Sequence, residues 1–177
     1  PPQAGSPGER PRRPEAPHAD KVGAVRQSGE RSMRRLRTGV VDVLQIHHQL
    51  GPEGGQYVAA VGPPPRYAYR LTLERALGLG AAMQRMVEAG KVRFLAITAW
   101  DGHRDVVEPL LASGVFHTAQ ILYNLLDRTA AVAPPAGFDG RDQGRSIPAA
   151  CRNDIGIIGI RAHAAGALVD RLDRAVG

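Results

Sequence analysis

The feature that most restricts the fold of this chain is the alternation of short apolar segments with stretches of helical periodicity. Between the apolar segments, side chains such as Leu79, Met83 and Met86 recur at the spacing of one helix face, and Gly90 follows in a C-terminal cap position. Short segments rich in Val, Ile and Leu predict strands that are buried on both faces. The alternation therefore predicts a parallel β/α architecture whose right-handed crossovers place the helices outside. The predicted strands are residues 40–46, 92–98, 119–123 and 155–160.

The length of the chain limits which parallel architecture is complete. Its 177 residues fit one domain, whereas a complete eight-fold β/α barrel takes about 250 residues. A doubly wound sheet and part of a barrel both remain possible. In both of them, functional groups lie at the carboxyl ends of the strands. The candidates by this rule are His47 and His48, Thr98, Tyr123 and Asn124, and Arg161 and His163.

The two ends of the chain and one internal stretch differ in composition from the rest. The first 20 residues contain six prolines and almost no apolar side chain, which predicts a disordered leader over residues 1–21. The folded region is then residues 22–177. Residues 49–70 are rich in Gly and Pro and predict a long functional or mobile loop, and residues 168–176 predict a closing helix.

Charge, hydropathy and cysteine content exclude several function classes. The net charge is +6, but the arginines are scattered and no aromatic side chains are interleaved with them, so we expect no specific nucleic-acid binding. No apolar run approaches the ~18–20 residues of a membrane span. A single cysteine, Cys151, cannot form an internal disulfide, which favours a cytoplasmic protein. Cys151 lies in a predicted helix, and we expect a buried or inert thiol rather than a nucleophile.

Individual motifs narrow the chemistry further. His47 and His48 are adjacent at a strand end, where neighbouring side chains point to opposite faces, so they cannot chelate one metal together. The sequence has no cluster of Cys, His and Asp at metal-ligand spacing, so we predict no metal site. The glycines of residues 78–80 do not follow a strand, as the glycines of a phosphate-binding fingerprint would. Gln120 could make a structural contact to a neighbouring strand. Arg161 could meet either a ligand anion or a carboxylate.

Four colinear segments resemble the aldo-keto reductases. Residues 32–47, SMRRLRTGVVDVLQIH, resemble the family signature S-L-R-R-L-x-T-D-Y-V-D-L-x-x-I-H. Residues 89–98, AGKVRFLAIT, are similar to E-G-K-V-R-Y-I-G-V-S, and residues 120–126, QILYNLL, to Q-x-x-Y-N-L-L. Residues 156–168 resemble a late strand followed by the A-x-G-x-L turn. Together the matches cover about residues 22–170.

The resemblance implies a partial (β/α)8 TIM barrel that contains about strands 4–7 with their helices. It implies NADPH- or NADH-dependent interconversion of carbonyls and alcohols, with a small carbonyl or sugar-like substrate. His47 falls on the histidine that orients the carbonyl in the family. Thr98 and Gln120 fall on residues that hold the nicotinamide carboxamide, and Arg161 is the further cofactor-binding candidate.

Departures from the family pattern leave the enzyme assignment open. The catalytic Asp and Tyr belong to strands that precede the matched segments, and Lys21 aligns too late in the chain for the catalytic Lys. Ala99 stands where an asparagine is usual, and Ile160 where an aromatic stacks on the nicotinamide. We therefore expect this chain to be catalytically inactive by itself. The alternative is a non-enzymatic barrel fragment or interaction module that self-associates through open barrel edges.

Overall fold

A computed structural model describes residues 18–52, 70–100 and 103–168 of the chain. Its four strands are all parallel and lie in the order β1-β2-β3-β4, which confirms the predicted α/β class. Helices and strands follow one another in the chain as α1 (His18–Leu36), β1 (Val41–Ile46), α2 (Leu73–Glu88), β2 (Val92–Thr98), α3 (Arg104–Leu111), β3 (Thr118–Leu122), α4 (Ser146–Arg152) and β4 (Gly156–Ile160), with a short 3-10 helix at Ala164–Gly166.

One face of the sheet forms the hydrophobic core with the helices. Leu95, Ile97 and Ile121 are completely buried on this face, and α2 and α4 pack against the strands. Burial of each such side chain contributes about 1.5–3 kcal/mol relative to exposure. The core therefore fixes which residues of each strand point away from the helices, since side chains alternate along a strand.

The opposite face of the sheet is much less covered. Val43, Phe94 and Ile158 on this face are 40%, 41% and 40% exposed. Val43 pairs with Phe94 in the register of β1 and β2, and Ile158 pairs with Gln120 in the register of β3 and β4. We call this surface the inner face, because it is the face that would line the interior if the sheet were part of a barrel.

Helix α2 begins earlier than its clearest periodicity indicates. Thr72 caps it, since its Oγ1 accepts a hydrogen bond from the backbone N–H of Arg75 at 3.3 Å. Gly80 is needed for packing, because a Cβ there would lie 2.5 Å from Val115 Cγ1 and 3.0 Å from Phe116 Cζ. Close approach of the helix, rather than phosphate binding, thus explains this glycine.

The remaining predictions meet the structure in different ways. Cys151 lies in α4 as expected, and it is exposed, so of the two expected alternatives the buried thiol is wrong and the inert thiol stays a prediction. The buried residues of α4 are Ser146, Ala149 and Ala150, and Cys151 lies outside the face that they form. Residues 1–17, 53–69 and 169–177 lie outside the described residues. Most of the predicted leader, loop and closing helix lies in these ranges. Residues 18–21 were predicted as the end of the disordered leader, but they belong to α1. No described helix is both long and apolar enough to cross a membrane.

Candidate functional site

The carboxyl ends of the four strands meet at one edge of the sheet because all strands run in the same direction. Backbone hydrogen bonds continue between neighbouring strands up to this edge. The N–H of Ala99 donates to the carbonyl of Gln120 at 2.8 Å, and the N–H of Tyr123 donates to the carbonyl of Ile160 at 3.4 Å. These bonds fix the spacing of the side chains that follow each strand.

Thr98 and Gln120 lie side by side on the inner face. They are register partners on β2 and β3, and neighbouring strands are about 4.8 Å apart. Thr98 is 1% exposed, and its Oγ1 accepts a hydrogen bond from Gln45 Nε2 at 2.7 Å. Gln120 is half-buried, and its side-chain amide makes no hydrogen bond to any described residue. The alternative structural contact for Gln120 is thus not formed among these residues.

His47 reaches the same level of the sheet. It lies one residue past the register pair Ile46 and Ile97, and it is on the same side of its strand as Gln45. Its side chain is exposed, whereas His48 is half-buried. Burial, and to a lesser degree the charge of His47, lower the pKa of His48, so the imidazole of His48 is neutral at physiological pH. The exposed His47 is therefore the one accessible to a ligand.

Arg161 occupies an unusual backbone conformation immediately after β4. Its φ of 58° is left-handed, and its carbonyl accepts a hydrogen bond from Asn124 Nδ2 at 3.1 Å. Its guanidinium lies 5.5 Å from the centre of the Trp100 ring, a cation–π distance. Within the described ranges Arg161 forms no ion pair with a carboxylate. Sequence reasoning did not select Trp100, although it is the only tryptophan and directly follows β2 by two residues.

Asn124 organises the loop that leaves β3. Its Oδ1 accepts hydrogen bonds from the backbone N–H groups of Leu126 and Asp127, each at 2.9 Å. Asp127 in turn accepts a hydrogen bond from the hydroxyl of Thr129 at 2.6 Å. The backbone N–H of Gln143 then donates to the Thr129 oxygen at 2.9 Å. Both ends of the β3–α4 loop are thereby tied together beside the candidate site.

Positive charge also collects at this end of the sheet, a feature that sequence reasoning missed. Arg70 is buried, and its Nη1 donates to the carbonyl of Leu50 at 3.3 Å. Burial, followed by the charges of Arg70 and Arg141, lowers the pKa of His103 at the start of α3. Three different loops contribute these residues, and the scattered arginines of the sequence did not indicate which of them would converge.

The side chains on the inner face fit an amide-bearing ligand better than a metal ion. The hydroxyl of Thr98 still has a proton to donate, and the amide of Gln120 has both a donor and an acceptor. A carboxamide offers the complementary acceptor and donor in one planar group. Among the described residues, no group of three or more His, Cys, Asp or Glu side chains could hold a metal ion.

Tyr123 and His163 complete the positions selected by the strand-end rule. Tyr123 is 40% exposed beside Asn124, and His163 is exposed in the turn after β4. Neither side chain joins a hydrogen-bonded cluster of described residues. The register thus places His47, Thr98 and Gln120 at one level of the sheet, and Arg161 lies three residues beyond Ile158, the register partner of Gln120.

Comparisons with known proteins agree with this architecture. The model of the Aldo/keto reductase family matches residues 12–175. No curated protein matches the sequence. A crystal structure provisionally assigned as a 2,5-diketo-D-gluconic acid reductase B has a TM-score of 0.50 and 19% sequence identity to the chain. The match covers 82% of this chain and 40% of that one, so the chain spans less than half of the solved protein. This likeness supports the fold, and it confirms the expectation of a partial barrel.

Proposed function

The chain belongs to the aldo/keto reductase family, and from that premise we propose that it forms the nicotinamide-holding side of an NAD(P)H-dependent oxidoreductase. The reaction class is the interconversion of carbonyls and alcohols. The observation that carries the proposal is the pair of Thr98 and Gln120, which lie side by side at the carboxyl end of the sheet; the Thr98 proton and the Gln120 amide have no partner among the described residues.

Each candidate residue has a role that its position supports. The Thr98 hydroxyl and the Gln120 amide bind the carboxamide of NADPH or NADH and thereby orient the nicotinamide ring. When bound there, the cofactor would supply hydride chemistry. His47, exposed at the level of Thr98, orients the carbonyl of the substrate, and the Arg161 guanidinium attracts the anionic part of the dinucleotide.

The substrate class is a small carbonyl compound or a sugar-like molecule. The solved protein that resembles the fold is assigned to the reduction of a diketo sugar acid. We place this binding activity in the cytoplasm, without a nucleic-acid or membrane partner.

Turnover requires a proton donor in addition to orientation. In the family resemblance His47 is the one aligned member of the catalytic set, and the Asp, Tyr and Lys have no aligned counterparts within these 177 residues. A general acid contributes about 10²–10⁴-fold to such a reaction. We therefore propose that this chain binds the cofactor and does not reduce carbonyls at a measurable rate by itself.

Fluorescence of the single tryptophan tests cofactor binding directly. Trp100 follows Thr98 by two residues, so titration with NADPH or NADH should quench its emission with saturation. Gln120→Leu should weaken binding, whereas Gln27→Leu on the exposed surface of α1 should leave binding unchanged. Absence of saturable quenching in the unmodified chain would refute the binding role. NADPH oxidation that needs a carbonyl and disappears in His47→Ala would refute the proposed inactivity.

A second candidate function, self-association, is favoured by the inner face. Val43, Phe94 and Ile158 are about two-fifths exposed there, while parallel sheets normally have both faces covered. Strands β1 and β4 are the two edges of the described sheet. Light scattering over a range of concentrations should show mass increasing, and Phe94→Glu should suppress the increase more than Leu36→Glu on α1. A monodisperse monomer at every concentration would contradict this function.

A further inference from the structure

We infer that Gln45 is a positioning residue that directs the hydroxyl proton of Thr98 towards the carbonyl oxygen of a bound nicotinamide carboxamide. This inference rests on the proposed function and adds a residue to it. Gln45 lies in β1, 53 positions before Thr98 in the chain, and the two side chains meet on the inner face at 2.7 Å.

The hydrogen bond between them has a defined direction. Gln45 Nε2 donates, and Thr98 Oγ1 accepts. A threonine hydroxyl has one proton and two acceptor sites. Because the Gln45 amide occupies an acceptor site and no described residue receives the Thr98 proton, this proton is left without a partner on a side chain that is 1% exposed.

The neighbouring strand β3 provides the second side chain that would bind the carboxamide beside the Thr98 proton. Gln120 is the register partner of Thr98 on β3 and stands on the same face. A planar carboxamide between them would accept from Thr98 through its oxygen and donate to Gln120 through its nitrogen. Donation by Gln45 polarises the Thr98 hydroxyl and strengthens its own donation, as in other hydrogen-bond chains.

The residue after Thr98 makes the hydrogen bond between Gln45 and Thr98 more important for binding the carboxamide. Ala99 has no side-chain donor or acceptor, so it cannot share in holding the carboxamide. Its backbone N–H is already bound to the carbonyl of Gln120. Within β2 itself, Thr98 is therefore the side chain at the carboxyl end that can donate to the carboxamide oxygen, and its orientation matters more.

A purely structural role for Gln45 makes a different prediction. If the bond served only to tie β1 to β2, any partner that keeps it would be sufficient. Glutamate at position 45 keeps the bond and reverses it, because an ionised carboxylate accepts only. Thr98 would then donate to residue 45 and lose its proton for the ligand.

Binding of NADPH and of its reduced 3-acetylpyridine analogue, measured by calorimetry or by Trp100 emission at pH 8, tests the inference. The analogue keeps the carbonyl oxygen and lacks the amide nitrogen. Gln45→Glu should weaken both ligands about five- to tenfold, the effect of one lost hydrogen bond. Gln120→Leu should weaken the binding of NADPH more than the binding of the analogue. Only NADPH has the amide N–H group from which the Gln120 oxygen accepts a hydrogen bond.

Two controls separate this effect from charge and from general disturbance of the face. Gln27→Glu adds the same charge on α1, and Thr118→Val removes another hydroxyl from the inner face whose Oγ1 has no partner. Neither should change the affinity for NADPH. Thermal unfolding of Gln45→Glu should remain close to that of the parent chain, which separates loss of binding from loss of fold.

The outcomes distinguish the positioning role of Gln45 from the proposed binding of the cofactor. Weaker binding of both ligands by Gln45→Glu, with an intact fold, supports the positioning role. Parent and Gln45→Glu chains that bind NADPH equally well overturn the inference while the proposed function stands. No binding by the parent chain overturns both. Unfolding of Gln45→Glu, with binding retained in Gln45→Met, also overturns the inference, since Met provides no donor.

Discussion

Two glycines of α2 should respond in opposite directions to the same substitution. Gly78 and Gly80 lie two positions apart in one helix, but a Cβ at Gly78 would meet no atom within 4 Å. A Cβ at Gly80 would lie 2.5 Å from Val115 Cγ1, closer than real contacts allow. Val115 is β-branched and Phe116 behind it is buried, so neither can move aside at small cost.

The magnitudes follow from two competing effects. Alanine in a helix interior is about 0.5–1 kcal/mol more favourable than glycine. An added methyl in a filled space costs about 1–3 kcal/mol. Gly78→Ala should therefore stabilise the chain by about 0.5–1 kcal/mol, whereas Gly80→Ala should destabilise it by about 1–2 kcal/mol after its helix gain.

Urea unfolding followed by helix circular dichroism measures both variants against the parent chain. The two variants have the same composition and are substituted in the same helix. The difference of about 2 kcal/mol between their free energies of unfolding therefore isolates the packing effect. It corresponds to about 4–8 °C in Tm for a chain of this size. Equal stability of the two variants, or a more stable Gly80→Ala, would refute the close approach of α2 to Val115.

Three other expectations concern the ends of the strands and the surface. Asn124→Ala should cost about 1–3 kcal/mol, because it leaves the N–H groups that the side chain satisfies without a partner; urea unfolding with no loss would contradict this network. The lowered pKa of His48 means that the unfolded chain binds a proton more readily, so stability should fall as the pH falls below about 6.5. The same pH series on His48→Gln should lack that part of the loss, and an imidazole NMR titration at or above the usual pKa would argue against it. Cys151 is exposed and should react with a thiol reagent in the folded chain at a rate that denaturant does not greatly increase; modification only after unfolding would show otherwise.

Local patterns were sufficient for the elements of the fold but not for the contacts between them. Strand β2 was predicted at its observed bounds, because six of its seven residues are apolar or β-branched and the segment closely follows the helix end at Gly90. Strand ends also identified Thr98 and Arg161 as candidates. These positions depend on periodicity and direction, which a sequence contains.

Contacts across many residues could not be predicted in the same way. The bond between Gln45 and Thr98 depends on the register of β1 and β2, and the position of Arg161 over Trp100 depends on two separate loops. The exposure of Cys151 depends on which side of α4 faces the sheet. In each example the physical cause is tertiary packing, which overrides what neighbouring residues indicate.

The hydrogen bonds that close the β3–α4 loop have a consequence for how recognition could change over time. Asp127, Thr129 and Gln143 hold the two ends of the loop together by bonds among themselves and to the backbone, so these bonds do not involve the exposed side chains between them. Substitution at exposed positions such as Val132 and Asp139 should then leave these bonds in place. Substitutions at exposed loop positions could therefore change the ligand preference while the bonds that join the ends of the loop stay intact.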